Sequence, residues 1–524
     1  MPSRPAETSP LRSVLPVAVL ASLVRLVIVW LGLPETHLIS DDAYYYFVTA
    51  RHMAAGAGPT FDGLAITNGF HPLWMLAVVP VFDVFPGDLW LPVRTALSLT
   101  VLFDLASGLL LHDLVRRHRG RMVAAVAATA WFVLPPTALL GLQGLEASLS
   151  TLMLLLLLRH LDRLEGAAFV SLRSATMTGV WLGLAGLART DNLAAAGVAV
   201  VACTVLRNSP GRAGAVGLRL AVVGAATALV MAPWFIWNLV HFGSLVQVSG
   251  QVKLQVHELF GGLPWGWGDM GSATLTLLHM LFPTMLVSAK YLCGEQFDGG
   301  AFALPVALVS QALVLFLVAL GARWRRDNGA WRAAVFVFPL ATLLTHTVLF
   351  GFVWRSYATW YAHGCFALLI VLIAGSYGPQ GQSAPGRGHR AGQFAAMTVG
   401  LLLLVQMAQY PLYLTRISLG ARGPEKQFRA SLDRLRDRMP EGARIGAFDA
   451  GALAYVAGHY DGFTVINLDG LVNNEIYRAY REDRYADWVI AHVDIVVQDL
   501  RRARLFCDPA DVERLLRHYG QSAP

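Results

Sequence analysis

Apolar stretches close to the roughly 20 residues a helix needs to cross a bilayer recur along this chain, and short arginine-rich loops separate them. Little else is open to a chain written this way than a bundle of membrane helices. Of its 524 residues 55% are hydrophobic and 14% are charged, where an average soluble domain carries roughly 25% charged residues. The mean hydropathy is +0.51. The first stretch, Leu15 to about Leu33, ends without a small-residue cleavage site and reads as a retained helix rather than a signal peptide.

The net charge is +7, and nearly all the positive charge is arginine in those loops, which speaks about topology and not about nucleic acid. Clusters at Arg4 and Arg12, Arg116 to Arg121, Arg159 to Arg173, Arg207 to Arg219, Arg323 to Arg332, and Arg387 and Arg390 mark the cytoplasmic side. The intervening loops carry little beyond Arg51, Arg189, Lys253, Lys290 and Arg355. The apolar run from Leu73 to Phe85 is too short to span, and counting it would put Arg116 to Arg121 outside, so it should lie on or re-enter from the outer surface. About eleven spans are expected, near 13–33, 89–115, 122–139, 147–158, 174–188, 192–206, 217–238, 301–321, 333–353, 360–376 and 394–412. The N-terminus is then cytoplasmic and the chain beyond about Tyr413 is extracytoplasmic.

The tail reads differently. "RASLDRLRDRMP" and "PADVERLLRHYG" pattern as helices, and "ARIGAFDA" and "VDIVVQDL" as strands. The expected fold class is therefore mainly α, a polytopic membrane helical bundle with a small C-terminal extracytoplasmic α/β domain. The expected units are 1–413, with outer loops 34–88 and 239–300, and 414–524. "LTLLHMLFPTMLVSA" suits the membrane interface, and "GPQGQSAPGRGHRAG" a flexible cytoplasmic linker. Four cysteines are too few for a disulfide framework, and only Cys293 and Cys507 could meet outside.

Directly after the first apolar stretch comes "ISDDAYYYFVTARHMAAGAGPTFDG", then "TNGFHPLW". Ser40 can cap a helix from about Asp41 to Ala54, whose first-turn acids suit the positive end of the helix dipole. Helical spacing puts Asp42, Tyr45, Tyr46 and Thr49 on one face. A capped interfacial helix with aromatic anchors is the plain reading, yet one capping residue would suffice. Two carboxylates, Asn68, His71 and several aromatics in one outer loop also make a place where a hydroxyl can lose a proton and a sugar ring can lie on aromatic faces.

The two first-loop segments resemble the first outer loop of the GT-C superfamily of membrane glycosyltransferases, which includes the protein O-mannosyltransferases, the lipid A aminoarabinose transferases and the mycobacterial arabinofuranosyltransferases. "GLQGLEAS", "LARTDN", "PWFIWNLVHFGS" and "SYATWYAHG" are similar to later blocks of bacterial members, and "GAFDAGALAYVAG" with "VINLDGLVNN" resembles the outer tail of one bacterial branch. The resemblance implies transfer of a hexosyl or pentosyl unit from a polyprenyl-phosphate-linked donor to a glycan, lipid or protein acceptor on the outer face of the plasma (inner) membrane, usually with inversion. It maps the catalytic base onto the pair Asp41 and Asp42, with Asp41 favoured as base and Asp42 as orienting partner or metal ligand. No cofactor is implied with certainty, but two adjacent acids could also hold a divalent cation such as Mg, Mn or Ca.

Developing charge on a lipid phosphate calls for cations, and the scarce outer ones make Arg189, Lys253 and Arg355 the shortlist, the last beside Trp360 and Tyr361. Single cations near headgroups also serve as plain anchors. Glu146, Tyr45, Asn68 and His71 complete the candidate substrate contacts, although an acid at a helix start and a histidine beside Pro72 and Trp74 have ordinary roles too. Arg189 with Asp191 suits an ion pair shaping a tight turn, and Asp104 is a flagged intramembrane acid. A transporter or flippase of a lipid-linked sugar would share the bundle and the lipid. The chain has no visible repeat, however, and its polar residues gather in outer loops, which favours surface chemistry.

Overall fold

The computed structural model describes residues 14–32, 39–164, 171–207, 213–255, 334–349, 359–376 and 424–520, the last without 438, 441, 461, 498 and 499. The expected spans 301–321 and 394–412, the interfacial stretch, the linker, Cys293 and Arg355 lie outside the described residues.

The bundle runs through α1 (Leu15–Leu31), α2 (Asp41–Ala54), α3 (Pro72–Val84), α4 (Leu91–Val133), α5 (Pro135–Leu140), α6 (Ala147–Arg163), α7 (Leu172–Ala188), α8 (Thr190–Arg207), α9 (Ala213–Phe242), α10 (Val248–Gln255), α11 (Ala334–Val348) and α12 (Ala362–Ser376). Local chemistry sets many of these limits. Pro16, Pro72 and Pro92 each sit in a first turn, where the missing N–H costs nothing. Gly120, at φ 81°, breaks α4 into the two stretches the hydropathy suggested. The Ser171 hydroxyl accepts the Ser174 N–H at 3.2 Å to open α7, and an extended Arg189 separates α7 from α8.

Three helices among the described residues, Leu91–Val133, Thr190–Arg207 and Ala213–Phe242, are long and apolar enough to cross a membrane. Their outward apolar side chains are bare: Leu229 is 76% exposed and Val240 72%, as expected of surface that meets lipid tails rather than water. Helices pack through small residues where burial against water supplies no drive. A Cβ on Gly179 would lie 2.5 Å from the Val223 carbonyl oxygen, and one on Gly183 2.7 Å from Val230, so α7 and α9 approach backbone to backbone. The flagged Asp104 is buried and paired, 3.8 Å from Arg25 and 3.4 Å from His363, and so ties α1, α4 and α12 together.

The two ends of the bundle differ in charge. At one end Asp113 is surrounded by Arg116, Arg117, Arg159 and Arg163 at 3.1 to 3.8 Å, and Arg207 donates to the Leu161 carbonyl in the last turn of α6 and to the Leu164 carbonyl just beyond it. At the other end lie the heads of α2, α6 and α8, with α10.

The C-terminal residues form α13 (Pro424–Arg436), β1 (Arg444–Ala447), α14 (Gly451–Tyr460), β2 (Thr464–Asn467), α15 (Asn474–Arg481), α16 (Tyr485–His492), β3 (Ile495–Val496) and α17 (Pro509–Tyr519). The strands make a parallel sheet in the order β2-β1-β3, with Ile445 opposite both Val465 and Ile495. α14 is the crossover between β1 and β2, and the unit closes around Phe448, Tyr485 and Phe506, whose rings stack. Its helices α14 and α15 rest on the first loop of the bundle. Tyr455 reaches Tyr44, Phe47, Phe82 and Trp90 with its ring and the Leu89 carbonyl with its hydroxyl.

This contact leaves no room for side chains on the backbones that meet. A Cβ on Gly69 would strike the Leu471 carbonyl oxygen and the Val472 backbone. Gly197, inside α8, has nothing within 4 Å. Gly69→Ala should therefore lower the melting temperature in detergent and loosen the C-terminal unit to limited proteolysis. Gly197→Ala should leave both unchanged or raise stability by up to about 1 kcal/mol through helix propensity. Equal behaviour of the two variants would contradict the packing described.

Candidate active site

α2 spans Asp41 to Ala54, the limits its acids and aromatics suggest, but it is not capped as expected. Ser40 occupies the cap position without a side-chain hydrogen bond; only its carbonyl accepts the Ala43 N–H, at 3.0 Å. The helix is held from two sides instead, by the bundle below and the C-terminal unit above.

The three tyrosines divide that work. Tyr44 packs against Tyr455. Tyr45 donates to the Phe448 carbonyl and to the Asp469 carboxyl, both at 3.2 Å, and its hydroxyl accepts from Asn467 Nδ2 at 3.2 Å. Tyr46 donates to Glu146 at 2.9 Å and accepts the His71 N–H at 3.0 Å. Glu146 stands at the head of α6 but makes no cap bond; Arg189 holds its other oxygen at 2.5 Å, with His71 Nε2 at 3.7 Å.

Arg189 is the centre of an ion network. Besides Glu146 it binds Asp191 at 3.0 Å, and Asp191 in turn meets His346 at 3.3 Å. Its guanidinium lies 4.3 Å from the centre of the Tyr361 ring. Lys253 donates to the Tyr361 hydroxyl at 2.6 Å, so two cations meet one phenol. The Lys253 ammonium is stabilised: burial disfavours its charge, but Tyr361 and Asp42 outweigh that and raise its pKa. A narrow cleft opens here, lined by Ser150, Arg189, Asp191, Asn192, His346, Trp360 and Tyr361.

Asn68 has no exposed surface and ties three segments together. It donates to Asn238 and accepts from the Val248 N–H and from Asn474 Nδ2, each at 3.0 Å. His71 faces Gln247 through Nδ1 at 3.2 Å, and burial pushes its pKa down to about 4 against the pull of Glu146, so it is a neutral imidazole near pH 7.

The two acids at the head of α2 sit differently. Asp41 Oδ1 accepts the Ala452 N–H at 2.8 Å and Oδ2 the Gly451 N–H at 3.0 Å. Burial pushes its pKa up to about 6, with those two N–H groups acting against the rise. Among the described residues none hydrogen-bonds the Asp42 carboxylate; burial raises its pKa, Lys253 counters, and Glu146 and Asp449 add to the rise. Among the described residues no three His, Cys, Asp or Glu side chains converge as metal ligands. Each Asp41 oxygen accepts one amide N–H, and no step is derived through a cation.

The sequence brought Asp41, Asp42, Tyr45, Glu146, Arg189, Lys253, Trp360 and Tyr361 forward, and they gather at this end of the bundle. It did not point to Asn238, Gln247 or His346, and it offered Asn467 and Asp469 as turn formers or acceptor contacts rather than as partners of Tyr45. Asn467, Asp469 and Asn473 also shape the local chain: Asn467 accepts the Gly470 N–H, Asp469 the Leu471 N–H, and Asn473 caps α15 through the Glu475 and Ile476 N–H groups.

The archaeal oligosaccharyltransferase of Archaeoglobus fulgidus, in complex with zinc and sulfate, superposes on 96% of this chain and 70% of its own at TM-score 0.52 and 15% identity. A structure of AglB from that organism in complex with an inhibitory peptide and a dolichol-phosphate covers 93% of this chain and 69% of its own at TM-score 0.50 and 14% identity. ArnT from Cupriavidus metallidurans in the apo state covers 84% of both chains at TM-score 0.50 and 15% identity. The chain has the GT-C fold. With its apolar helices, that makes it a multi-pass membrane protein. Within this GT-C fold, residues 419–519 match a family described as a domain of unknown function (DUF8728). No curated protein matches the sequence.

In the GT-C fold of this chain Asp469 is a buried carboxyl whose pKa is pushed up to about 8 by burial, with the Leu471 N–H and Asn467 opposing and Asp449 and Asp42 adding to the rise. A carboxyl that binds its proton more tightly folded than unfolded loses stability as pH rises between the two pKa values. The melting temperature should therefore fall from about pH 5 to pH 8, and Asp469→Asn, shaped like the protonated acid, should flatten that fall. A variant with the wild-type slope would show that Asp469 does not titrate in this window.

Proposed function

We propose that this protein is a membrane glycosyltransferase that moves a hexosyl or pentosyl unit from a polyprenyl-phosphate-linked donor to a glycan, lipid or protein acceptor. One observation carries the reading: at one end of a GT-C fold, Asp42 at the head of α2 lies within the field of Lys253, and Lys253 and Arg189 share a single tyrosine, Tyr361. One neighbour in fold is a complex with a dolichol-phosphate, which supports a lipid-phosphate donor here. The site end then faces the outside of the plasma membrane, with the N-terminus cytoplasmic and the C-terminal unit, from about residue 414, extracytoplasmic. Arginines gathered at the opposite end support that orientation.

The chemistry follows from the charges. A carboxylate at the head of α2 takes the proton of the acceptor hydroxyl, the oxygen attacks the anomeric carbon, and the bond from that carbon to the phosphate oxygen breaks. The polyprenyl phosphate leaves with the electron pair, and cations beside it stabilise the charge that develops. Arg189 is already neutralised by Glu146 and Asp191, and Lys253, whose ammonium reaches the Tyr361 hydroxyl, suits the phosphate better. The aromatic faces of Trp360 and Tyr361 in the cleft suit a sugar ring.

The test is transfer in proteoliposomes from a panel of radiolabelled polyprenyl-phosphate sugars. Wild type should transfer one of them, and Lys253→Gln should raise the donor KM at least tenfold, with melting temperature little changed. Because the base works ionised and its pKa is raised, the acid limb of kcat/KM should lie above the ordinary carboxylate range and rise with pH through it. Lipid binding without transfer from any donor would overturn the reading in favour of a transporter.

A further inference from the structure

In a parallel α/β unit, the turn from a strand's carboxyl end into the next helix is where anions bind, because unpaired N–H groups and the helix dipole point there. The turn from β1 into α14 is such a place, and its anion comes from the bundle: the Asp41 carboxylate takes the Gly451 and Ala452 N–H groups. The fit is tight, since a Cβ on Gly451 would run into the Asp41 carbonyl. α2 also answers the other end of α14. Arg51 donates to the Tyr455 carbonyl at 3.2 Å, lies 5.2 Å from the centre of the Tyr455 ring, and occupies the space a side chain on Gly458 would need. An acid thus meets the positive end of α14, and a base lies along its later half.

We infer that the adjacent acids have divided roles. Asp41 is a positioning residue that clamps the C-terminal unit onto the first loop by capping α14, and Asp42 alone is the base. The assignment of Asp42 rests on the glycosyltransferase reading; the clamp does not. It also gives the 419–519 segment a task, since with α14 seated the unit brings Asn467 and Asp469 onto Tyr45, one helical turn from Asp41 and three residues from Asp42.

The experiment compares full-length wild type, Asp42→Asn, Asp41→Ala and Asp41→Asn in proteoliposomes, reading sugar transfer and hydrogen exchange of the Gly451 and Ala452 amides. Asp42→Asn should lose transfer by about 100-fold or more, the scale of a general base, with exchange unchanged. Asp41→Ala should speed that exchange about tenfold, the scale of a lost helix cap, and lower transfer with it. Asp41→Asn should restore protection and most of the transfer that Ala loses, because asparagine caps as well as aspartate. Loss of transfer in Asp41→Asn with the amides still protected would make Asp41 the base and overturn the division. Unchanged exchange in Asp41→Ala would overturn the clamp. If wild type transfers no sugar, the function and Asp42's role fall together, while the exchange data still decide the clamp.

Discussion

α2 carries two acids, three tyrosines and an arginine in fourteen residues, and apart from Tyr44, which packs among rings, these side chains could not be buried against hydrocarbon at acceptable cost. The helix exists as a buried element because polar partners meet it on two sides: Glu146 and His71 from the bundle, and the amides of Gly451 and Ala452, the Phe448 and Tyr455 carbonyls and Asn467 from the C-terminal unit. Remove either side and a row of polar groups loses its partners. The seating of α2 therefore fixes where the C-terminal unit sits, how α3 leaves the first loop, and which side chains border the cleft.

Charge is arranged to the same end. Inside the bundle acids are neutralised in place, Asp104 by Arg25, and Asp191 and Glu146 by Arg189. A buried pair stripped of one member leaves an uncompensated charge, which costs on the order of 3–5 kcal/mol, so these groups are committed to structure. Asp42 is not committed in that way. It feels Lys253 across the site without a hydrogen bond from any described residue, which leaves its carboxylate available for a proton.

Much of this was legible in the sequence where the signal is local. The limits of α2 follow from first-turn acids and an aromatic face, the break in α4 from a loop of arginines and Gly120, and strand β1 and helices α13 and α17 from their periodicity. The Arg189–Asp191 contact follows from their spacing. What could not be read joins residues far apart: Tyr45 to Asp469, Asn68 to Asn474, His71 to Gln247. No periodicity encodes such pairs. β2 and α14 escaped as well, because a four-residue strand and a ten-residue helix rich in alanine and glycine carry little pattern of their own. The capping of α2 was misjudged for the same reason, since what holds the head of the helix lies some 400 residues away.

The most direct test is a structure of the protein with a polyprenyl phosphate bound. The account predicts the phosphate beside Lys253 and Tyr361, facing Asp42, with the prenyl chain running down the outside of the bundle and α14 still seated on Asp41. A phosphate held at the opposite end, among the arginines around Asp113, or one at the site end remote from both Lys253 and Asp42, would contradict it.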